Sequence, residues 1–144
     1  MLIRRMTLED IPAVVEIEKA CFSLPWSEKS FEDSLSREDT VFLVSLADEY
    51  VTGYMGLYLS FDEASVTNVA VSPEFRKKGY GEALVTAAKE FAKEAGVESI
   101  FLEVRQSNAP ALSLYKKLGF EELGIRKKFY EHPVEDAIIM KVGI

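Results

Sequence analysis

Residues 64–104 read ASVTNVAVSPEFRKKGYGEALVTAAKEFAKEAGVESIFLEV, and this segment determines the topology of the chain. Its first eight residues have the apolar, β-branched character of a strand, which the Ser72-Pro73 step ends. From Gly81 to Ala95 the apolar residues fall on one helical stripe, and Gly96 is placed to cap it. Since Ser99–Val104 is again strand-like, the segment is a strand–helix–strand crossover, the unit that places two strands parallel in one sheet.

On either side of this crossover, apolar residues recur with the period of strands or with that of helices. Strands are expected at residues 2–6, 41–46, 50–60, 120–130 and 137–142. Helices are expected after three capping positions, at Thr7, Ser27 and Asn108. This order predicts an α/β fold in which helices flank a mixed sheet, mostly antiparallel, with one parallel pair between the two strands of the crossover.

Length and composition restrict the class of protein. One domain spanning residues 1–144 is expected, because 144 residues fall within the usual size of a single domain. Apolar residues make up 48% and charged residues 28%, which excludes disordered, collagen-like and coiled-coil chains. The formal net charge is −7, and an acidic chain repels phosphate at long range. We therefore expect no nucleic-acid partner and no membrane-surface partner, and any anion site must be local.

The scarcity of cysteine and histidine limits the chemistry further. Cys21 is the one cysteine and His132 the one histidine, so neither a disulfide scaffold nor an ordinary zinc cluster is expected, and we predict no metal. The first residues lack the apolar core of a signal peptide, and no run of about 18 apolar residues follows. The expected location is therefore the reducing cytoplasm.

The one glycine-rich loop, Arg76-Lys77-Lys78-Gly79-Tyr80-Gly81, lies between a predicted strand and the start of the clearest helix. The first turn of a helix has unpaired N–H groups and a partial positive charge, and glycine lets phosphate oxygens approach the backbone. A pyrophosphate would fit there. The loop is not a P-loop, since no Gly-Lys-Ser/Thr follows, and Leu84 replaces the third glycine of a dinucleotide fingerprint. An ordinary helix start with a solvated basic run is the alternative.

Two residues are candidates for proton transfer. On the strand at 99–104, Glu103 shares a face with Phe101 and Arg105. If that face is covered, desolvation raises the pKa of the carboxyl group into the range of a general base; if it is open, Glu103 is an ordinary surface acid. Tyr115 lies on the inward stripe of the next helix, either as core filler or as a catalyst. These residues alone leave both questions open.

Three further features have plain structural interpretations. Trp26, after Pro25, either packs the two N-terminal helices together or forms the wall of a substrate groove. Cys21 is most simply a small buried apolar residue. The Arg126-Lys127-Lys128 run could bind an acidic partner but is more typical of a solvated strand edge, where lysine discourages aggregation.

Together these segments resemble the GNAT acetyltransferase superfamily over essentially the whole chain, and within it the bacterial ribosomal-protein-alanine N-acetyltransferases. The loop at 76–81 has the Arg/Gln-x-x-Gly-x-Gly/Ala form of the superfamily. The narrower resemblance is carried by Pro25-Trp26-Ser27, by Leu102-Glu103-Val104-Arg105 with Ser107-Asn108, and by Glu135-Asp136-Ala137. Other matching segments are Asp62-Glu63-Ala64, Asn68-Val69-Ala70-Val71, Leu114-Tyr115, Leu118-Gly119-Phe120 and Ile138-Ile139-Met140.

The resemblance implies an enzyme that uses acetyl-CoA as co-substrate. Backbone groups of Val69, Ala70 and Val71 would line the pantetheine arm. The pyrophosphate would lie against Arg76, Lys77, Lys78, Gly79, Tyr80, Gly81 and Glu82. Asn108 would also touch the cofactor. Glu103 would accept a proton from the substrate ammonium through water, and Tyr115 would donate a proton to the departing thiolate.

The resemblance further implies that the acetyl acceptor is the N-terminal α-amine of a protein, with an alanine-initiated ribosomal protein as the expected partner. Trp26 and Tyr130 would form walls of its site. The chain departs from the narrower family at Phe129, where a second tyrosine is common, and at Cys21-Phe22-Ser23-Leu24, both where the peptide would bind. A small-molecule amine acetyltransferase and a non-catalytic acyl-CoA-binding module are the alternatives.

Overall fold

The computed structural model describes residues 1–144, which form strands, helices and two single 3₁₀ turns, at Leu8–Asp10 and Pro73–Phe75. The strands are β1 (Leu2–Arg5), β2 (Thr40–Ala47), β3 (Tyr50–Ser60), β4 (Glu63–Val71), β5 (Ser99–Arg105), β6 (Glu121–Tyr130) and β7 (Glu135–Gly143). The helices are α1 (Ile11–Cys21), α2 (Glu28–Leu35), α3 (Tyr80–Glu94) and α4 (Ala109–Lys117). None of these helices is long and apolar enough to cross a membrane.

All the strands form one seven-stranded sheet in the order β1-β2-β3-β4-β5-β7-β6. Neighbouring strands are antiparallel except β4 and β5, the two strands of the crossover, which run parallel. This confirms the expected α/β fold with a mostly antiparallel mixed sheet and one parallel pair. β6 is an edge strand, and the basic run Arg126-Lys127-Lys128 is exposed on it, as predicted.

The parallel pair is joined only at its start, where Glu63–Ser65 faces Ser99–Phe101. Beyond these residues β4 and β5 separate, and we call the opening between them the wedge. A β-bulge accounts for the separation, because the β3–β4 register shifts after Gly56 and leaves Thr67 as the extra residue of β4. A bulge bends its strand. The last part of β4, up to Val71, therefore presents a half-buried edge to the wedge.

Helices cover both faces of the sheet. Along β2, Val41 and Leu43 belong to one apolar cluster, whereas Phe42 and Val44 belong to another. Because successive side chains of a strand point to opposite faces, these clusters lie on opposite sides of the sheet. α3 and α4 pack in the first cluster, and α1 and α2 pack in the second. The sheet is thus the middle of three layers.

The C-terminal end of α4 sets the position of Tyr115. Gly119 has a φ of +95°, in the left-handed region that glycine adopts without strain, and its N–H donates to the Lys116 carbonyl at 3.1 Å. The Phe120 N–H donates to the Tyr115 carbonyl at 2.9 Å, and the two rings pack with centroids 5.5 Å apart. This Schellman motif confirms the predicted helix end, and α3 ends in the same way at Gly96.

The start of α1 differs from the expectation. The Thr7 capping sequence opens a 3₁₀ turn, and α1 begins only at Ile11. The Asp10 carboxylate accepts the Thr7 N–H at 2.8 Å and also pairs with the Arg4 guanidinium at 2.7 Å. Burial alone would raise the pKa of Asp10, but Arg4 and Thr7 hold it below its ordinary value. Arg4 lies in β1, outside the helical pattern, so that pattern could not indicate this turn.

Candidate active site

The loop between β4 and α3 presents an uninterrupted row of backbone donors. From Lys77 to Glu82 no N–H group donates to an acceptor in the chain, and the first hydrogen bond of α3 runs from Ala83 to the Gly79 carbonyl. Gly79 has a φ of +90° and no side chain that could cap these groups. The N-terminal end of α3 adds a partial positive charge. We call these groups the N–H row, and they can bind an anion that the chain itself does not supply.

The basic side chains of the loop differ in their contacts. The Arg76 guanidinium folds back, donating from Nε to the Val71 carbonyl at 3.1 Å and from Nη2 to the Cys21 thiol at 3.1 Å. Lys77 and Lys78 are exposed. Cys21 is therefore half-buried and in contact with a cation, which corrects the prediction of a simple buried apolar residue. The helical pattern of α1 could not show that the loop after β4 returns to its end.

The edge of β4 and the start of α3 lie next to each other. Val69, Ala70 and Val71 are half-buried along the wedge. A Cβ placed on Gly81 would lie 3.3 Å from Leu114 Cδ2 and 3.9 Å from Val71 Cγ2, so α3 begins in contact with both β4 and α4. The N–H row and the strand edge are thus neighbours. They fit an extended ligand that carries phosphates at one end, which is the form of acetyl-CoA.

Three residues expected at the cofactor also have local structural contacts. Tyr80 is half-buried in an edge-on contact with a neighbouring phenylalanine ring. The Glu82 carboxylate pairs with Lys117 at 3.0 Å, so only its N–H group belongs to the row. Asn108 Oδ1 accepts the Ala111 N–H at 3.2 Å, which confirms the predicted cap of α4. Its amide nitrogen makes no hydrogen bond in the chain and stays available to a ligand.

Glu103 lies on the part of β5 that has separated from β4. The alternation along the strand is as predicted, since Leu102 and Val104 are buried. The Glu103 side chain points to the other face with 30% of its surface exposed, and its Oε1 lies 3.7 Å from Arg126 Nε on β6. This face of β5 is therefore partly covered. The sequence left open whether it would be fully covered or fully open, and the structure lies between these two cases. The carboxylate keeps contact with solvent, so a proton can reach it through water.

Tyr115 is buried, with 5% of the residue exposed. Burial, with a smaller contribution from Tyr130, raises the pKa of Tyr115 to about 12. Its hydroxyl makes no hydrogen bond in the chain, yet no buried side-chain oxygen or nitrogen lacks a partner. The hydroxyl oxygen therefore reaches the surface although the ring does not. Tyr115 presents a protonated phenol, which is a proton donor.

Tyr130 interacts electrostatically with both of these residues. It is half-buried at the end of β6, and burial together with the Glu103 carboxylate raises the pKa of Tyr130 to about 12. The Arg105 guanidinium lies 4.4 Å from the centre of its ring and opposes this rise. Tyr130 in turn raises the pKa of Tyr115. The fold thus brings together Glu103, Tyr115 and Tyr130, which lie on three different elements.

Arg105 anchors the turn between β6 and β7. Its guanidinium donates to the Pro133 carbonyl at 3.0 Å and to the Glu131 carbonyl at 3.1 Å, and it pairs with Glu135 at 3.3 Å. These contacts hold both sides of the turn to the end of β5. Since Tyr130 directly precedes the turn, the cation that stacks on its ring also holds the segment that carries it.

The loop between α1 and α2 meets this turn. Ser23 Oγ donates to the His132 carbonyl at 2.7 Å, which joins the two segments. We call the surface between them the loop–turn groove. Phe22 and Leu24 lie in the same loop with 39% and 62% of their surface exposed. This segment departs from the sequence of the narrower family, and its pattern predicted no role for these two apolar side chains.

Trp26 packs mainly into the core. Its ring lies 5.2 Å from that of Phe31 in α2 and 6.2 Å from that of Phe42 in β2, between centroids. The residue is half-buried, so part of the indole still faces outward. Of the two interpretations left open for Trp26, the structural one has direct contacts in its support, but these ring contacts join α2 to β2 rather than the two N-terminal helices to each other.

A buried carboxylate, Glu18 of α1, was missed by the sequence interpretation. It is 2% exposed and accepts hydrogen bonds from the Tyr54 hydroxyl, from Asn68 Nδ2 at 3.1 Å and from the Trp26 backbone N–H at 2.8 Å. Burial and this carboxylate raise the pKa of Tyr54, which therefore stays protonated as a donor. Glu18 thus joins α1, β3, β4 and the α1–α2 loop.

A signal for Glu18 is present in the sequence. Ile11, Val14, Val15 and Glu18 have the spacing of one helical face, and all four are buried. A carboxylate that completes an apolar stripe must find hydrogen-bond donors, because burying it unpaired is very unfavourable. The sequence of α1 alone could not show which residues of β3 and β4 donate hydrogen bonds to Glu18.

Comparison with known proteins identifies the family. The sequence profile of the Acetyltransferase (GNAT) family matches residues 11–120. A ribosomal protein bS18-alanine N-acetyltransferase from Salmonella typhimurium is 37% identical over 141 residues, which cover 96% of this chain and 95% of that protein. A Bacillus subtilis (strain 168) protein, provisionally named for the same activity, is 43% identical over 143 residues, or 99% of this chain and 95% of that protein.

Solved structures agree with these sequence matches. The crystal structure of the ribosomal-protein-S18-alanine N-acetyltransferase from Escherichia coli superposes with a TM-score of 0.91 at 34% identity, covering 99% of this chain and 93% of that chain. Ard1 from Thermoplasma volcanium superposes with a TM-score of 0.90 at 27% identity, covering 99% and 97%. The chain therefore belongs to the acetyltransferase (GNAT) family, and within it to the group of alanine N-acetyltransferases that these relatives represent.

Proposed function

We propose that this chain transfers the acetyl group of acetyl-CoA to the N-terminal α-amine of a protein, and that an alanine-initiated ribosomal protein is its substrate. The observation that carries the proposal is that Glu103 lies on the part of β5 that borders the wedge, while the N–H row at the start of α3 contacts α4 beside Tyr115. Acetyl transfer to an amine requires a proton acceptor, a proton donor and a site for the anionic donor molecule. Each requirement has a candidate group here.

The donor side is built mainly from backbone. Members of the GNAT family use acetyl-CoA, which supplies an acetyl group activated as a thioester. In this chain the N–H groups from Lys77 to Glu82 would bind its pyrophosphate, since a helix N-terminus favours anions. The edge from Val69 to Val71, at which only the Val71 carbonyl already accepts a bond from Arg76, would bind the pantetheine amides as a neighbouring strand would. Asn108, with its free amide nitrogen, would be a further contact.

Glu103 is proposed as the proton acceptor. An amine attacks a carbonyl carbon only in its neutral form, so the substrate ammonium must lose a proton first. An α-amine has a pKa of about 7.7–8.0 and a lysine side chain about 10.4, so near pH 7.5 their neutral fractions differ by roughly two to three orders of magnitude. A single half-exposed carboxylate that acts through water suits the first substrate far better than the second.

Tyr115 is proposed as the proton donor. The sulfur that leaves the thioester needs a proton, and an unperturbed thiol has a pKa of about 8.5. With a pKa of about 12, Tyr115 stays protonated throughout the working range, and its hydroxyl has no competing acceptor in the chain. Tyr130, which lies near both residues, would help to exclude water and to shape the site for the attacking amine.

The loop–turn groove is the proposed acceptor site. The exposed apolar side chains of Phe22 and Leu24 suit a short peptide segment better than a small charged amine. Trp26 and Tyr130 flank it as half-buried aromatic residues. The relatives from Salmonella typhimurium and Escherichia coli are named for acetylation of ribosomal protein bS18, which supports a ribosomal protein N-terminus as the substrate here and the cytoplasm as the location.

The test is a rate comparison at pH 7.5 between two peptides of the same sequence. One begins with a free alanine; the other is blocked at its N-terminus and carries one lysine. Mass spectrometry should detect acetylation of the first peptide at least about a hundredfold faster, following the difference in neutral amine. Comparable rates would contradict the N-terminal assignment. Rapid acetylation of a free polyamine alone would favour a small-molecule acetyltransferase, and no turnover at all would favour a binding module.

A further inference from the structure

Glu18 is the most deeply buried charged side chain, and no lysine or arginine pairs with it. Its three hydrogen bonds come from an uncharged phenol, an amide and a backbone N–H group, on Tyr54, Asn68 and Trp26. Removing a carboxylate from water is unfavourable unless donors replace that water. The three donors must therefore keep their positions for this buried charge to remain satisfied.

These donors belong to different parts of the site. Tyr54 lies in β3, within the central part of the sheet. Asn68 follows the bulged residue Thr67 and directly precedes the free edge of β4. Trp26 ends the α1–α2 loop, which forms one side of the loop–turn groove. Glu18 therefore connects the proposed acceptor site to the strand proposed to hold the acetyl donor.

A purely structural role would not require a carboxylate at this position. Glu18 completes an apolar helical stripe, where leucine or methionine would avoid the desolvation of a charge. A carboxylate adds the capacity to accept several hydrogen bonds on two oxygens. Oε1 takes the bonds from Tyr54 and Asn68, and Oε2 takes the bond from Trp26. The side chain thus fixes the loop relative to β4.

We propose that Glu18 is a positioning residue for the acetyl acceptor, an inference that rests on the proposed function. Glu18 holds the loop at Trp26 at a fixed distance from Asn68. An amine bound in the loop–turn groove is thereby placed next to the acetyl group held along β4. Loss of Glu18 loosens the acceptor site. The donor site is affected much less, because β4 is held by its own backbone pairing with β3 and the N–H row lies in a separate segment, from Lys77 to Glu82.

Two variants test this arrangement kinetically. Glu18→Gln keeps the size of the side chain but turns an NH₂ group toward one of the donors, and the KM for an alanine-initiated peptide should rise about tenfold. Tyr54→Phe removes one bond and leaves two, so the rise should be about threefold. In both variants the KM for acetyl-CoA should stay within about twofold of the wild-type value.

Ser45→Ala is the matched control. Ser45 Oγ is as deeply buried as Glu18 and forms a hydrogen bond with Thr52 Oγ1 at 2.8 Å. The variant therefore loses a buried polar contact between β2 and β3, strands that form no part of the loop–turn groove. It should lower the melting temperature and leave both KM values unchanged. If Glu18→Gln raises the two KM values equally, or resembles Ser45→Ala in raising neither, the positioning role is refuted. If Glu18→Gln fails to fold, Tyr54→Phe decides by the same criteria.

The chain contains a single tryptophan, so Trp26 reports on its own loop. Glu18→Gln should increase the quenching of Trp26 fluorescence by acrylamide about twofold while the far-UV circular dichroism stays constant. Unchanged quenching would contradict the anchoring of the loop. This measurement needs no substrate, so it separates a failure of the Glu18 inference from a failure of the proposed function, which would appear as no peptide acetylation by the wild-type chain.

Discussion

The two halves of the proposed site are built in different ways. The donor half is a row of backbone N–H groups from Lys77 to Glu82, contiguous in sequence and left free by a glycine at the start of α3. The acceptor half consists of side chains from the α1–α2 loop, β5, α4 and β6, and the loop is joined to the β6–β7 turn by the hydrogen bond from Ser23 to His132, which are 109 residues apart. A binding site made from local backbone can be recognised in a sequence, whereas one made from distant side chains depends on the topology.

The largest effect should come from removing the proposed proton acceptor in the acceptor half. Glu103→Gln should lower kcat/KM by roughly 10²–10⁴, the usual contribution of a positioned general base, and leave acetyl-CoA affinity unchanged. Steady-state kinetics across the pH range measure this loss. Glu90→Gln, an exposed carboxylate on α3, is the matched control and should retain full activity. A loss below about threefold in Glu103→Gln would mean that another group takes the proton.

A second effect concerns the proton donor. Tyr115→Phe keeps the packing against Phe120 and should lower kcat about a hundredfold, because only the hydroxyl is lost. The pKa of Tyr115 is raised to about 12, so the wild-type hydroxyl remains protonated below that value. The pH profile of wild-type kcat should therefore show no alkaline decline up to about pH 10. A decline between pH 8 and 10 that disappears in Tyr115→Phe would contradict this assignment of the pKa.

The smallest effect is expected outside both halves. Asp10→Asn removes the ion pair with half-exposed Arg4 and should lower the free energy of unfolding by about 1 kcal/mol at pH 7, with kinetics unchanged. Because the pKa of Asp10 is lowered in the folded state, its stabilising effect is present above the unfolded pKa and is lost as the pH falls through the folded value. Urea denaturation should thus show the two proteins converging in stability in strong acid. A difference that persists there would exclude the ion pair as the cause.

The fold was largely predictable because its signals are local. Each of these signals involves residues only a few positions apart in the sequence. They are the alternation along each strand, the caps at Ser27 and Asn108, and the left-handed glycines at Gly96 and Gly119. The crossover from 64 to 104 predicted the parallel pair for the same reason. The N–H row followed from a glycine at the start of a helix.

The wedge and the acceptor half were less predictable. The bulge at Thr67 opens the wedge, and it exists only in the register between β3 and β4. Glu18 meets Asn68 across 50 residues, and Arg105 reaches the β6–β7 turn from another strand. No window of sequence contains both partners of such a contact. The sequence could propose Glu103 and Tyr115 individually, but only the folded sheet places Tyr130 near both of them.

The most direct test of this two-part site is a calorimetric titration of coenzyme A against Gly81→Asp, Gly81→Ala and Glu103→Gln. Gly81→Ala adds only a Cβ near the flexible end of Leu114 and should weaken binding modestly, whereas Gly81→Asp also places a carboxylate at the N–H row and should abolish binding. Glu103→Gln should bind with wild-type affinity. Retention of affinity by Gly81→Asp, or its loss in Glu103→Gln, would contradict a donor site built from this loop and separate from the acceptor half.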